Sequence, residues 1–155
     1  MTTLVKNGIV VLGLAVLACG CTRGDDGALR VTMLPACLKV EQPQERVFRT
    51  AEEWASFQAA HPGGDAGGAV DFSQSMVAAR FDGTGSACTG FTVESVSASD
   101  GTIVVRATRH TSPNPCIAVV AYPQLVLVLP RRDDAVAFRI ADARDDAAVQ
   151  IRACR

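Results

Sequence analysis

The chain predicts an α+β domain, mainly an antiparallel β sheet or sandwich with one packed helix and with disulfide staples. Three observations carry that expectation. One stretch, Thr50 to His61, has the start, the apolar positions and the stop of a helix. Six or so other stretches have the alternation or the β-branched runs of strands and are mostly joined by turns, which is the pattern of an α+β fold. Four cysteines, Cys37, Cys88, Cys116 and Cys154, fall in a chain that reads as exported, where an even number implies disulfides.

Export is read from the first residues. Lys6 is the only charge before Arg23, and Ile9 to Ala18 is an unbroken apolar run. A short positive segment followed by a short apolar one is a secretory signal. A spanning helix needs roughly 20 apolar residues, and this run ends at Gly20-Cys21-Thr22-Arg23. The end of the run resembles a lipobox, where a bacterial lipoprotein is cut and acylated on cysteine. Val16-Leu17-Ala18-Cys19 has an aliphatic residue at minus three and a small one at minus one, so Cys19 is the expected lipidation site, with Cys21 as the alternative. Ordinary cleavage without lipid is the competing reading. The expected layout is a signal over residues 1–18, a flexible Gly/Asp-rich tether over 19–28 and one domain over 29–155. The expected address is the cell envelope, with palmitate-type acyl chains holding the chain to a bacterial membrane, the outer membrane foremost.

Leu29 to Val40 is apolar and irregular, and Arg46 to Arg49 alternates like a short strand. Thr50 followed three residues later by Glu53 is a capping box, in which each side chain takes up the other's backbone N–H. Trp54 and Phe57, with Ala51 and Ala55 beside them, make one apolar stripe. Pro62 ends the helix, and Gly63 to Gly68 is a loop. Strands are expected over Gln74 to Phe81, Phe91 to Glu94 and Ile103 to Thr108, with Asp100-Gly101 as a hairpin turn. Leu125 to Leu129 is apolar throughout and is expected as a central strand covered on both faces. Val136, Phe138 and Ile140 mark another strand, and Val149 and Ile151 a last one.

A net charge of −1 with 5% aromatic residues excludes a broad basic surface and a stacking platform for nucleic acid. The histidines, His61 and His110, have no metal-ligand spacing and read as surface residues. Gly83 to Gly90 looks like a phosphate loop but lacks its lysine, and a strand rather than a helix follows. Asp133-Asp134 and Asp145-Asp146 lack the alternating ligands of a calcium loop and read as solvated turns. No cofactor and no metal are expected. No nucleophile, base and orienter come together, so the chain is read as non-catalytic. The competing readings are a hydrolase with an unrecognised site and a purely structural envelope lipoprotein.

None of the four domain cysteines stands in a Cys-x-x-Cys pair, so bridges are expected rather than zinc. Three pairings are open. Cys88–Cys116 would join neighbouring loops, and Cys37–Cys154 would join the two ends of the domain, which often lie close together. These two are the pairings expected.

Four segments in order resemble one family. Val47-Phe48-Arg49-Thr50-Ala51-Glu52-Glu53-Trp54 resembles the helix opening of the PrcB-type C-terminal domain, named after a subunit of a secreted protease complex. Val70-Asp71-Phe72-Ser73 followed by Met76-Val77-Ala78, then Thr89-Gly90-Phe91-Thr92-Val93, then Tyr122 to Pro130 resemble its later segments. The family's second glycine is replaced by Phe91, and the four cysteines are additions. The resemblance spans Val47 to Pro130 and implies an accessory role beside a protein partner, a protease in the family's name. The loops Gly83–Gly90 and Thr111–Pro115 are the expected contact, through Thr84, Ser86 and Asn114.

Overall fold

The helix forms where its capping box is written. In the computed structural model, which describes residues 27–64, 67–114 and 119–145, Thr50 Oγ1 accepts from Glu53 N at 3.1 Å. Glu53 Oε2 accepts in return from Thr50 N at 3.2 Å and from Arg49 N at 2.8 Å. The Arg49 amide, more than that of Thr50, holds the Glu53 carboxyl below its ordinary range. The expected signal with Cys19 and Cys21, the cysteines Cys116 and Cys154, and the strand expected at Val149 and Ile151 all lie outside the described residues.

In chain order the elements are β1 (Gly27–Ala28), β2 (Thr32–Met33), β3 (Gln44–Phe48), α1 (Ala51–Ala60), β4 (Ser75–Phe81), β5 (Gly85–Ser86), β6 (Thr89–Ser99), β7 (Thr102–Thr111), β8 (Val120–Ala121), β9 (Gln124–Pro130) and β10 (Ala135–Ala143). They make a first sheet in the order β1-β6-β7-β10, a second in the order β2-β9-β4-β3, and a two-stranded ribbon of β5 and β8. All the pairings are antiparallel except β10 with β7. The mainly antiparallel α+β expectation therefore stands. The one parallel pair arises because the chain leaves the first sheet after β7, runs β9 in the second sheet, and re-enters beside β7 from the same end.

Alternation sorts the residues into two cores. Met76 and Ala78 of β4 and Leu125, Leu127 and Leu129 of β9 meet Val96, Ile103, Val105 and Phe138 between the two sheets. Val77, Ala79, Phe81 and Val126 point the other way and meet Phe48, Trp54 and the segment with Ala36, Leu38 and Val40. The second sheet is thus covered on both faces, so its central strands are apolar at consecutive positions. Trp54 and Phe57 pack on Phe48 with ring centroids 5.0 Å apart in each case, and Phe57 also meets Phe81 at 5.2 Å. Trp54 is buried and Phe57 half-buried, but Ala51 and Ala55 are exposed. The helix's apolar stripe is narrower than the sequence predicts, because the two aromatic rings already span its contact with β3 and β4.

Asp100 and Gly101 form the two-residue turn between β6 and β7, with φ of 50° and 73° and Ser99 paired to Thr102. Two positive φ values are what this hairpin twist requires. The β6 strand is far longer than Phe91 to Glu94. It carries a bulge between Val93 and Ser95, and Glu94 accepts a hydrogen bond from the Thr108 hydroxyl. Two polar residues in succession there hide the strand from an alternation reading. Gly27 and Ala28 already pair with Ala98 and Ser97, so the sheet begins inside the stretch read as tether.

Candidate functional site

The two loops expected to bind are neighbours. The Thr89↔Thr111 pairing brings their stems together, and Ser112 N donates to Cys88 O at 3.1 Å. Each loop is shaped by short-range bonds: Cys88 N donates to Ser86 Oγ, and Asn114 N to Ser112 Oγ, both at 3.1 Å. Gly83 has φ of 77°, and a Cβ there would stand 2.8 Å from Glu41 O. Only glycine lets the loop turn this close to another backbone. Beyond it, β5 pairs with β8 through Gly85↔Ala121 and Ser86↔Val120. Thr84, Ser86 and Asn114 are all exposed. So are Val119 and Val120, at 38% and 59%. The sequence did not single out these valines, since two apolar residues before a strand look like core.

Beside this loop cluster a chain of charges links the two sheets. Arg80 bonds Glu45 at 2.6 Å and Asp82 at 2.9 Å. Arg109 bonds the other oxygen of Asp82 at 2.9 Å and Asp142 at 2.6 Å. Hydrogen bonds to Asp142 and then Asp82 raise the Arg109 value, and Arg109 in turn lowers that of Asp142. Burial works to lower the Arg80 value, but its bonds to Asp82 and Glu45 outweigh it and raise it. A carboxylate shared between two guanidiniums fixes the sheets' relative register at this end. No motif reveals the network, because its members come from separate strands.

His110 corrects the expectation of a surface histidine. Its side chain is 13% exposed, Nδ1 lies 2.8 Å from Asp145 Oδ1, and Nε2 is buried without a hydrogen-bond partner. Its register neighbours are Gly90 and Ala143, whose small size leaves room for the ring to lie against the sheet. Asp145 is accordingly a partner rather than a solvated turn residue. Asp134 departs from that reading too, bonding Arg132 through its carboxylate and Arg49 through its carbonyl. His61 caps α1 and is half-buried, its ring 4.5 Å from that of Phe57.

His110 and Asp145 supply a base and an orienter, but no hydroxyl or thiol bonds Nε2, so the pair lacks the nucleophile of a triad. Among the described residues no group of three or more His, Cys, Asp or Glu is placed to hold a metal ion. No described helix is long and apolar enough to cross a membrane. A hollow of about 540 Å³ lies along β10, with Arg80, Arg106, Arg109 and Arg139 among its lining residues. Cys37 and Cys88 are each half-buried, one within the segment of Ala36, Leu38 and Val40 and one at the stem of the loop cluster. No family model matches the chain, and no similar curated protein or solved structure was found.

Proposed function

We propose that this chain is an exported lipoprotein, acylated at Cys19 (or Cys21) and held to the envelope membrane, whose PrcB-like domain binds an envelope or secreted protein without catalysing a reaction. The partner is a protease on the family resemblance. The observation that carries this reading is the meeting of two Gly-, Pro-, Ser- and Thr-rich loops at one end of the sandwich, with Thr84, Ser86 and Asn114 exposed beside Val119 and Val120. Loops mounted on a rigid sheet are where binding usually resides. An apolar pair rimmed by polar residues suits a protein partner.

The domain is stapled, on this reading, by Cys88–Cys116 and Cys37–Cys154. Cys37 and Cys88 are half-buried, one in the inner core segment and one at the stem of the loop cluster, which suits stapling and leaves the pairing to measurement. A bridge at Cys88 holds the stem of the loop cluster and lowers the entropy lost when a partner fixes it.

Thr84→Arg, Ser86→Arg and Asn114→Arg, combined in one folded variant, test the interface. Proteins that co-purify with the wild-type chain from native membranes are expected to be lost. An unchanged set would remove these loops from the interface. A second reading, a hydrolase, is favoured only by the His110–Asp145 pair. His110→Ala would abolish any hydrolytic activity found in the purified protein, and activity that survives would dismiss the pair as its base.

A further inference from the structure

We infer that the outer edge of β10 is a strand-addition site for an extended acidic segment of a protein partner. This goes beyond the loop interface and uses a different surface. Three observations converge on it.

The edge itself is open. β10 runs nine residues, Ala135 to Ala143, and pairs only with β7 among the described strands. Among the described residues nothing pairs with its other side, whose backbone N–H and C=O groups are a template for another chain. The other described edges are blunted. β1 and β2 are two residues each, and the part of β6 that β1 leaves uncovered carries the bulge between Val93 and Ser95. β3 is five residues that follow Pro43 and include Glu45 and Arg46. The β10 sequence, Ala-Val-Ala-Phe-Arg-Ile-Ala-Asp-Ala, has neither proline nor lysine, and its pairing with β7 runs without a bulge.

The surface beside the edge is cationic. Four arginines, Arg80, Arg106, Arg109 and Arg139, share the hollow along β10 with two acids, Glu94 and Asp142. Arg80 and Arg109 are already matched by carboxylates. Arg106 and Arg139 are exposed and are register partners on adjacent strands. Neither makes an ion pair with a described residue. Like charges directly opposite each other destabilise a sheet, and a carboxylate on an added strand, placed beside Arg139, offsets that cost.

The two faces of the edge set the pattern of the occupant. Val136, Phe138 and Ile140 face the inter-sheet core, where Val136 and Ile140 remain half-buried, while Arg139 and the alanines face outward. A strand added here presents alternate side chains to these two faces. The fitting segment therefore alternates apolar with acidic residues. Backbone bonds supply affinity and the alternate side chains supply choice.

The test uses the full chain and a fluorescein-labelled peptide alternating valine and glutamate. Saturable binding is expected, weakened at least tenfold in Arg106→Glu/Arg139→Glu and again at high salt. Hydrogen exchange should slow at β10 amides, Ala135 to Ala143, when the peptide is bound. The charge-reversed residues are exposed, so the variant should fold, and its melting curve checks this. Equal binding of a valine–lysine peptide would overturn the acidic preference. Binding with no added protection at β10 would overturn strand addition. A peptide-free dimer joined through β10 would replace the partner with a second copy and overturn the proposal as stated.

Discussion

The two sheets are built from similar strands but live in different surroundings. The second sheet is closed on both sides: the first sheet covers one face, and α1 with the 36–40 segment covers the other. The first sheet is closed on one side only. Its far face carries Ser95, Ser97, Thr108, Arg106, Ala135 and Arg139, exposed or half-buried. The difference separates stability from availability. Aromatic rings are concentrated where the chain is sealed, and charges with small polar groups stand where it is open.

The largest effect should come from the sealed side. Trp54→Ala removes a ring packed on Phe48 and buried to 5% exposure, and is expected to cost about 3–5 kcal/mol. Thermal or denaturant melting checks it. A change below about 1 kcal/mol would mean that the helix is not anchored by this residue. On the open side, Arg139→Ala should shift stability by no more than about 0.5 kcal/mol. The contrast between these two variants is the sharpest form of the comparison.

Disulfide reduction comes next. If Cys88 is joined to Cys116, the bridge closes a loop of about 28 residues and is worth roughly 3 kcal/mol in the chain-entropy model. Peptide mapping under non-reducing conditions gives the pairing, and melting with and without reductant gives the size. A Cys88 peptide linked to any other cysteine would refute Cys88–Cys116.

Smaller effects belong to single turns. Gly101 has φ of 73° with open space around its Cα, so Gly101→Ala is penalised by backbone strain alone, on the order of 1 kcal/mol. Thr50→Ala removes the cap of α1 and should cost about 1 kcal/mol. The capping box also sets a pH dependence. The Glu53 carboxyl titrates below its ordinary value of 4.5 in the folded chain. Its contribution is therefore complete above that value and is lost as the pH falls through the lower folded value. Melting of wild type and Glu53→Gln should differ at neutral pH and converge in acid. A difference that persists unchanged to the lowest pH would contradict the assignment.

Much of the fold was legible because local chemistry determined it. The capping box, the Asp100-Gly101 turn and the two-faced burial of β9 each follow from a few adjacent residues. The parallel seating of β10 was not legible, because it depends on where the chain re-enters the first sheet. The loop cluster was legible by composition alone. Its exposed Val119 and Val120 were not, since apolar residues carry no mark of exposure. The His110–Asp145 and Arg109–Asp142 contacts span 35 and 33 positions. Such pairs leave no spacing signal, and His110 was misread because Gly90 and Ala143, the small neighbours that make room for it, lie on other strands.

The sealed half holds the fold, and on the proposed function the open half meets a protein partner. A photo-crosslinking residue placed at Ser86, at Arg139 or at the exposed helix position Glu52 tests this in cells that make the full chain. Crosslinks to a second protein are expected from Ser86 and Arg139 and none from Glu52. Crosslinks from Glu52 with none from Ser86 or Arg139 would contradict it.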